Sequence, residues 1–416
     1  MAVALEIGER ILANGLTLLA VRNPAVRTFA ASAQLEIDLR AEARGEGGLV
    51  HLTGRCLEEG TKRRSGTELS KAIEEMGGFL EGEASGGSLQ CPAEMASKGV
   101  RLLGEMVCEP AFPAGDVARV RDEVLTEIRA DSEDPQEVAR DRFHKEAYGR
   151  HPYGRPDRGA RTQVARLRPV DLRRFHRKWF VAGGGYVAAA GPAEPVEMLD
   201  FLEKSFEGMR PGDVELGRPG VPPLPAQSRE IHLPMDREQV HVFVGHRGIR
   251  RSDPDYHALQ VMDHILGTGP GFTSRIARRL RDDLGLCYSV HAGITGSAGE
   301  EPGLFMAYIG TSPPHRNQAV EGFLEEISRL CTTLPSESEL RDVHRYLTGS
   351  FVFSLQRNTS LLRYAIRAKR FGLGFDYLHR YPALITAVTR QDVRRVAVEH
   401  LHADKVAVVS AGATEA

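Results

Sequence analysis

The chain has 416 residues, of which 41% are hydrophobic and 26% are charged, which is enough for two or more domains with a sizeable core. Because 54 Lys and Arg residues stand against 56 Asp and Glu residues, the net charge of −2 excludes a global attraction to nucleic acid or anionic lipid. The composition also excludes the disordered and fibrous classes.

The N-terminus and the cysteines indicate the cellular compartment. Acidic and basic residues interrupt the first fifteen positions, and no apolar run approaches the roughly eighteen residues of a membrane span, so neither a signal peptide nor a span is predicted. The cysteines are odd in number, widely spaced and without a C-x-x-C pair: Cys56, Cys91, Cys108, Cys287 and Cys331. We therefore expect reduced thiols in a cytoplasmic protein with no membrane partner.

Strands and helices are legible in the first half of the chain. Partial alternation predicts strands over 17–21 and 29–37. A capping box from Ser65 to Glu68, followed by apolar residues at helical spacing and a stop at Gly77, predicts a helix. Pro113 precedes a longer predicted helix with the apolar stripe Val117, Val120, Val124 and Ile128. Because no regular βαβ rhythm links these elements, they predict an α+β fold of packed layers instead of a doubly wound sheet.

An internal repeat divides the chain near its midpoint. Residues 171–191 align without gaps with residues 392–412, and each segment reads as a basic helix, a short turn and an apolar strand that ends in Gly. Residues 211–225 contain five prolines and three glycines without periodicity, as is typical of a linker. The sequence thus predicts two homologous α/β-layer halves, each an antiparallel-rich sheet with helices packed on it: 1–210 and 229–416, with 211–228 as the linker.

Residues 47–61 carry an altered metal-binding motif. The stretch G-G-L-V-H-L-T-G-R-C-L-E-E-G-T resembles the active-site helix of the pitrilysin/insulinase-like zinc peptidases, whose pattern is G-x-x-H-x-x-E-H. In that family two His residues bind zinc and the Glu activates the zinc-bound water. Here His51 matches the first His, while Gly54 replaces the general base and Arg55 replaces the second His. Glycine has no carboxylate, and a guanidinium repels a dication. We therefore assign no catalytic residue.

The third zinc ligand of the family is a Glu on a later helix, and the resemblance places it at Glu127. His51 and Glu127 are too few for a zinc site, so we expect no cofactor in this chain and regard the two as remnants of a metal site. We hypothesise that Arg55 takes the place of the metal and pairs with Glu127. Two simpler interpretations stay open, in which His51 is a hydrogen-bonded helix histidine and Glu127 borders an amphipathic helix.

The second half resembles the family's other signature, in which an Arg at a helix end is followed seven residues later by a Tyr on a strand. Arg281 and Tyr288 match it, and the resemblance implies that they bind substrate. A guanidinium and a phenol can donate hydrogen bonds to a peptide carbonyl. The alternative is a solvated charge and an ordinary strand aromatic. Because 109–112 and 151–156 also match family landmarks, the resemblance covers most of the chain and implies a mitochondrial-processing-peptidase-like duplication.

Some bacterial members of this family work as pairs in which one subunit has the zinc motif and the other has the Arg/Tyr pair. The resemblance therefore implies a non-catalytic, substrate-binding subunit of a heteromeric zinc metalloendopeptidase that acts on peptides or unfolded segments. Such a chain is not a peptidase on its own, and its expected partners are a homologous H-x-x-E-H-bearing subunit, which carries the zinc, and the peptide, which could add a strand to an exposed sheet edge. The alternative is a structural or assembly protein of the same fold with no proteolytic role.

Overall fold

A computed structural model describes residues 5–269, 273–353 and 355–413, and its contacts divide the chain into two compact units. The strands are β1 (Ile7–Ile11), β2 (Thr17–Arg22), β3 (Thr28–Gln34), β4 (Phe79–Glu83), β5 (Gly86–Pro92), β6 (Tyr186–Gly191), β7 (Arg229–Pro234), β8 (Val240–Arg247), β9 (Val290–Gly293), β10 (Leu304–Thr311) and β11 (Ala407–Gly412). The helices are α1 (Leu49–Arg55), α2 (Gly66–Met76), α3 (Ala96–Cys108), α4 (Ala114–Glu133), α5 (Pro135–Tyr148), α6 (Arg161–Val164), α7 (Pro169–Trp179), α8 (Pro195–Phe206), α9 (Tyr256–Asp263), α10 (Arg316–Thr332), α11 (Glu337–Phe353), α12 (Asn358–Arg370), α13 (Tyr377–Thr386) and α14 (Arg390–His400).

The first unit contains a six-stranded sheet in the order β1-β2-β6-β3-β5-β4. Only the β2–β6 pair is parallel. Alternation along β2 sends Leu18 into the main core, which includes α3, α7 and α8, and sends Leu19 to the opposite face. There α12 covers the sheet with Leu361 and Ile366. Both faces of this sheet are therefore buried by helices, as expected for an α+β layer.

The second unit contains a five-stranded sheet in the order β7-β11-β8-β10-β9, in which only β7 and β11 are parallel. Phe143 of α5 stacks on Phe243 of β8 with ring centroids 6.0 Å apart, so α5 covers one face. The other face is covered by α10, which in turn packs against α14. The predicted α+β class with two antiparallel-rich sheets is confirmed.

The duplication is exact where the sequence shows it. The helix α7 begins at 169 and α14 begins at 390, while β6 begins at 186 and β11 begins at 407, so both pairs are 221 residues apart. Both β6 and β11 also lie between one parallel and one antiparallel neighbour. The two segments that align in sequence therefore also occupy equivalent positions in the two sheets.

The units differ from the contiguous halves 1–210 and 229–416 in one respect. The second unit includes residues 130–155, which contain α5, and the first unit includes residues 353–377, which contain α12. Each of these helices is the third α-helix after the corresponding strand, β5 or β10, so the exchange joins equivalent elements. The reason is that their apolar faces cover the sheet of the other half. Within 211–228, the chain passes from the first unit to the second after Arg218.

The local predictions are confirmed closely. Ser65 Oγ accepts a hydrogen bond from the Glu68 amide, and the Glu68 carboxylate accepts one from the Ser65 amide at 2.8 Å. The helix α2 ends at Met76 and is capped by Gly77, whose φ is +66°. The helix predicted after Pro113 is α4. The strand predicted over 29–37 ends at residue 34 instead. The Leu35 amide still donates to the Ser85 carbonyl in the register of β5, but the Ile37 amide then turns back to donate to the Leu35 carbonyl at 2.9 Å. The helices described here include none with the length and apolar character of a membrane span.

Candidate functional site

The helix α1 places His51 and Arg55 one turn apart. Its first residues, Leu49 and Val50, are buried, and the Val50 amide donates to Glu42 at 3.0 Å, which fixes the start of the helix. The helix packs against α7 on one side and β4 on the other. Side chains four residues apart lie on the same face of a helix, so both His51 and Arg55 project from that face.

Glu127 lies on α4 beside the buried valines of the predicted stripe. Arg55 Nη1 donates to Glu127 Oε1 at 2.9 Å, which confirms the hypothesis that these two residues pair. Arg158 Nε donates to the other oxygen, Glu127 Oε2, at 3.0 Å. Burial opposes ionisation of this carboxyl group, but the hydrogen bonds from the two arginines outweigh it and hold the pKa of Glu127 below its ordinary value. Both oxygens of the remnant ligand are thus occupied by guanidinium groups.

The ion pairs continue along α4. Arg55 Nη2 lies 3.5 Å from Glu123, and Arg119 Nη1 donates to the same carboxylate at 2.7 Å. Arg119 also pairs with Glu59, which follows α1. The charges alternate from Glu59 through Arg119, Glu123 and Arg55 to Glu127 and Arg158, so each charge on this surface has an opposite neighbour. We call these six residues the arginine–glutamate cluster.

His51 lies at the edge of this cluster. Its Nε2 atom is buried and has no hydrogen-bond partner within the described part of the chain. Burial, followed by the positive charges of Arg158 and Arg55, lowers the pKa of His51. The imidazole is therefore neutral near pH 7.

Gly54 leaves no space for a side chain at the position of the general base. A Cβ on Gly54 would lie 2.6 Å from the amide nitrogen of Ala84 and 2.6 Å from the carbonyl carbon of Glu83. In the same contact, a Cβ on Gly82 of β4 would lie 2.5 Å from the Gly54 carbonyl oxygen. Because α1 and β4 approach through glycine backbones, this structure cannot accommodate a glutamate at position 54 without moving one of them.

The residues at the family's metal position do not fit a zinc ion. Of the family's three ligand positions, two keep a ligand-type side chain, His51 and Glu127, and both carboxylate oxygens of Glu127 already accept from arginines whose charge repels a cation. Among residues 5–269, 273–353 and 355–413, one group of His, Cys, Asp and Glu side chains is close enough to hold an ion: Asp253, Asp255 and His400 in the second unit. Arg395 donates to both oxygens of Asp255, at 2.7 and 2.9 Å, so this carboxylate is already neutralised.

The segment with Arg281 and Tyr288 belongs to the second unit. Arg281 lies in the last turn of a π-helical segment, Ala277–Asp283, and its Nη2 pairs with Asp282 at 2.7 Å. Gly285 then adopts φ +62°, which turns the chain. Tyr288 follows at a bend of the backbone two residues before β9, not on the strand itself, and it is 92% exposed. A tyrosine this exposed contributes little to the core, so its ring and hydroxyl are available to another molecule.

Sequence reasoning missed two parts of the first-unit site. Arg158 lies two positions after the landmark 151–156, but nothing in its neighbours links it to Glu127, which is 31 positions earlier in the chain. The contact of Gly54 with Ala84 was also missed, although the glycines at 54 and 82 were a possible signal of close backbone approach. Both contacts depend on elements that are remote in sequence.

The duplicated α+β fold and the altered motif define the class: a fold of the zinc-peptidase type in which Gly54 and Arg55 stand at two positions of the H-x-x-E-H motif. Residues 22–161 match the model for insulinase (peptidase family M16), and residues 166–347 match the model for the peptidase M16 inactive domain. The chain belongs to peptidase family M16.

Solved structures and curated relatives agree with this assignment. A peptidase M16 inactive domain from Pseudomonas fluorescens superposes with a TM-score of 0.90 at 24% identity and covers 99% of both chains. A Helicobacter pylori protease gives 0.88 at 18% identity, over 98% of this chain and 100% of that one. An uncharacterized zinc protease of Streptomyces coelicolor is 26% identical over 93% of this chain and 85% of its own length. The mitochondrial-processing peptidase subunit beta of Blastocladiella emersonii is 25% identical over 97% of this chain and 88% of its own.

Proposed function

We propose that this chain is the non-catalytic, substrate-binding subunit of a heteromeric zinc metalloendopeptidase that acts on peptides or unfolded segments. The observation that carries the proposal is the closed site on α1 and α4. Gly54 excludes a general base, and Arg55 with Arg158 holds the Glu127 carboxylate. A homologous partner subunit with the H-x-x-E-H motif supplies the zinc and the base.

The edge strand β4 is the proposed place where a peptide binds to the first unit. It pairs with β5 on one side and has no strand on the other within the described residues. Its face packs against α1, next to the arginine–glutamate cluster. An extended peptide can add to such an edge through its main chain, which gives affinity with little sequence preference. This mode suits a subunit that accepts unfolded segments.

In the second unit, Arg281 and Tyr288 are the proposed contacts to substrate. The Tyr288 hydroxyl can donate one hydrogen bond and the Arg281 guanidinium several, and a peptide carbonyl accepts both. Donors placed at a carbonyl that gains negative charge contribute to catalysis even when the metal belongs to another subunit. The exposure of Tyr288 supports this role.

The second candidate is a structural or assembly protein of this fold with no proteolytic role. The hydrogen bonds of Arg281 to its own neighbour Asp282 favour it, because they allow Arg281 to serve the local structure alone. The two candidates differ in what happens when the Arg/Tyr pair is removed.

The test is reconstitution with a homologous zinc-bearing subunit, identified by co-purification, and a quenched-fluorescent peptide. We expect Arg281→Ala and Tyr288→Phe to lower turnover of the assembled pair by about tenfold or more, as for the loss of an oxyanion donor, while assembly is retained. Arg341→Ala, which removes an exposed arginine of α11, is the matched control. Full turnover by both variants favours the structural candidate.

A further inference from the structure

The chain between Arg281 and Tyr288 is anchored before it reaches the tyrosine. The Gly285 amide donates to the Arg281 carbonyl oxygen at 3.1 Å, and Gly285 adopts the left-handed conformation that such a helix end favours. The Leu286 amide then donates to the Leu280 carbonyl oxygen at 2.9 Å, and the Leu286 side chain is buried. Leu286 is therefore held both by the helix end and by its own burial.

Thr311 holds the carbonyl group of Leu286. It is the last residue of β10, it is buried, and its neighbour across the pair of β8 and β10 is Val240. Thr311 Oγ1 donates to the Leu286 carbonyl oxygen at 2.7 Å in a buried hydrogen bond. The sheet fixes the backbone of Thr311 and its branched side chain has few rotamers, so the hydroxyl points in a defined direction. Because a buried carbonyl oxygen that loses its donor is costly, this bond favours one position of Leu286.

The register of β9 shows what this hydrogen bond replaces. Val290, the first residue of β9, pairs with β10, and continuing that register by two residues would place Tyr288 opposite Thr311. The chain instead bends at Tyr288, and the Thr311 side chain donates to the Leu286 carbonyl. Residues 287–289 therefore form a loop between two fixed points, Leu286 and Val290, with Tyr288 at its centre. We call these three residues the Tyr288 loop.

We propose that Thr311 is a positioning residue, whose hydroxyl sets the conformation of the Tyr288 loop and so the place at which Tyr288 meets a substrate. The role of Tyr288 rests on the proposed function, but the conformation of the loop is a property of this chain alone. Because Tyr288 is almost fully exposed, its own packing constrains it little, and the constraint comes from the backbone on either side. A donor stabilises a developing charge only within hydrogen-bond distance, so a displacement of about 1 Å is enough to remove its effect.

Hydrogen exchange of the full chain tests the anchor directly. Thr311→Val keeps the shape of the side chain and removes the donor, whereas Thr311→Ser keeps the donor. The amides of Gly285 and Leu286 should exchange about tenfold faster in Thr311→Val, because this end of the loop opens more often, and at about the unaltered rate in Thr311→Ser. The amides of β8 report global unfolding and serve as the internal reference. Equal acceleration in β8 and at Leu286, or no acceleration at Leu286, contradicts the proposal.

Turnover of the pair reconstituted with the zinc-bearing subunit separates this inference from the proposed function. Thr311→Val should lower kcat about tenfold with little change in KM, and Thr311→Ser should restore it, since the donor acts on charge that develops in the transition state. In the Tyr288→Phe background, Thr311→Val should have little further effect, because the hydroxyl that it positions is gone.

The matched control is Thr332→Val, which removes an exposed hydroxyl that bonds within its own helix, α10. Full turnover in Thr311→Val, while Tyr288→Phe is impaired, contradicts the positioning role. Full turnover in Tyr288→Phe overturns the proposed role of Tyr288 instead, and hydrogen exchange alone then decides whether Thr311 holds the Tyr288 loop.

Discussion

Gly54 and Ala84 are in backbone contact: a Cβ on Gly54 would lie 2.6 Å from the amide nitrogen of Ala84. The base position of the peptidase motif is therefore filled by the main chain that follows β4. The loss of the base is built into the packing of α1 on the sheet, beyond the substitution of one side chain.

Gly54→Ala should destabilise the protein by about 2 kcal/mol or more, because overpacking of backbone against backbone cannot be relieved by a side-chain rotation. The free energy of unfolding in urea measures this. Gly349→Ala is the matched control, since Gly349 lies inside α11 and its Cβ would meet nothing within 4 Å. There alanine should stabilise by about 0.5–1 kcal/mol through helix propensity. Equal effects at the two glycines contradict the close contact.

Arg55→Ala should lower the free energy of unfolding by about 1 kcal/mol, more than the removal of an exposed arginine. It deletes the hydrogen bond to Glu127 and the contact to Glu123, and the side chains of Arg55 and Glu127 are only about one third exposed. Arg341→Ala, whose side chain is 64% exposed, should cost at most about 0.5 kcal/mol. The difference should shrink in high salt. An unchanged melting temperature for Arg55→Ala would show that the pair adds nothing.

The pKa of His51 should rise when either neighbouring arginine is neutralised. Burial is the first cause of its lowered pKa, and the charges of Arg158 and Arg55 add to it. Arg158→Gln and Arg55→Gln each remove one repelling charge and leave Glu127 less neutralised, and both changes favour the imidazolium. An NMR titration of the His51 ring protons measures the shift, with Arg341→Gln as the control. If the pKa of His51 is the same in both variants as in the unaltered chain, the arginine charges do not influence the imidazole, which contradicts this prediction.

Asp263 should give the protein an unusual pH dependence. It accepts hydrogen bonds from the amides of Ile294 and Thr295, yet complete burial raises its pKa to about 6. Because the folded state then binds a proton more tightly than the unfolded state, this group favours folding at low pH, and that contribution is lost as the pH rises through about 6.

The comparison of Asp263→Asn with the unaltered chain isolates this contribution. The unaltered chain should gain about 1 kcal/mol relative to the variant when the pH falls from about 7.5 to about 5. The constant cost of the altered hydrogen bonds cancels in this difference. Urea unfolding at the two pH values provides the measurement, and a difference that does not vary with pH means that Asp263 does not titrate in this range.

Local signals in the sequence predicted the helices and strands well, but they did not predict the contacts between residues that are far apart in the sequence. The capping box at Ser65 and the repeat that joins α7 to α14 are written in short segments, so they could be identified directly. The pairing of Arg55 with Glu127 could be predicted because both residues stand at metal-ligand positions of the family's zinc site. The exchange of α5 and α12 between the two units could not be predicted from the sequence. The pattern of an amphipathic helix shows that the helix has an apolar face, but it does not show which sheet that face packs against. Tyr288 lies before β9 because Gly285 turns the chain there, a detail of backbone conformation.

The most direct test of the central claim is hydrolysis of a mixed set of quenched-fluorescent peptides by the purified chain alone, with added zinc and with a chelator control. Since Gly54 excludes the base and two arginines hold Glu127, the account predicts no cleavage above the chelated background, whatever the zinc concentration. Cleavage at enzyme-like rates that the chelator abolishes would contradict it and would require a metal site other than the one on α1 and α4.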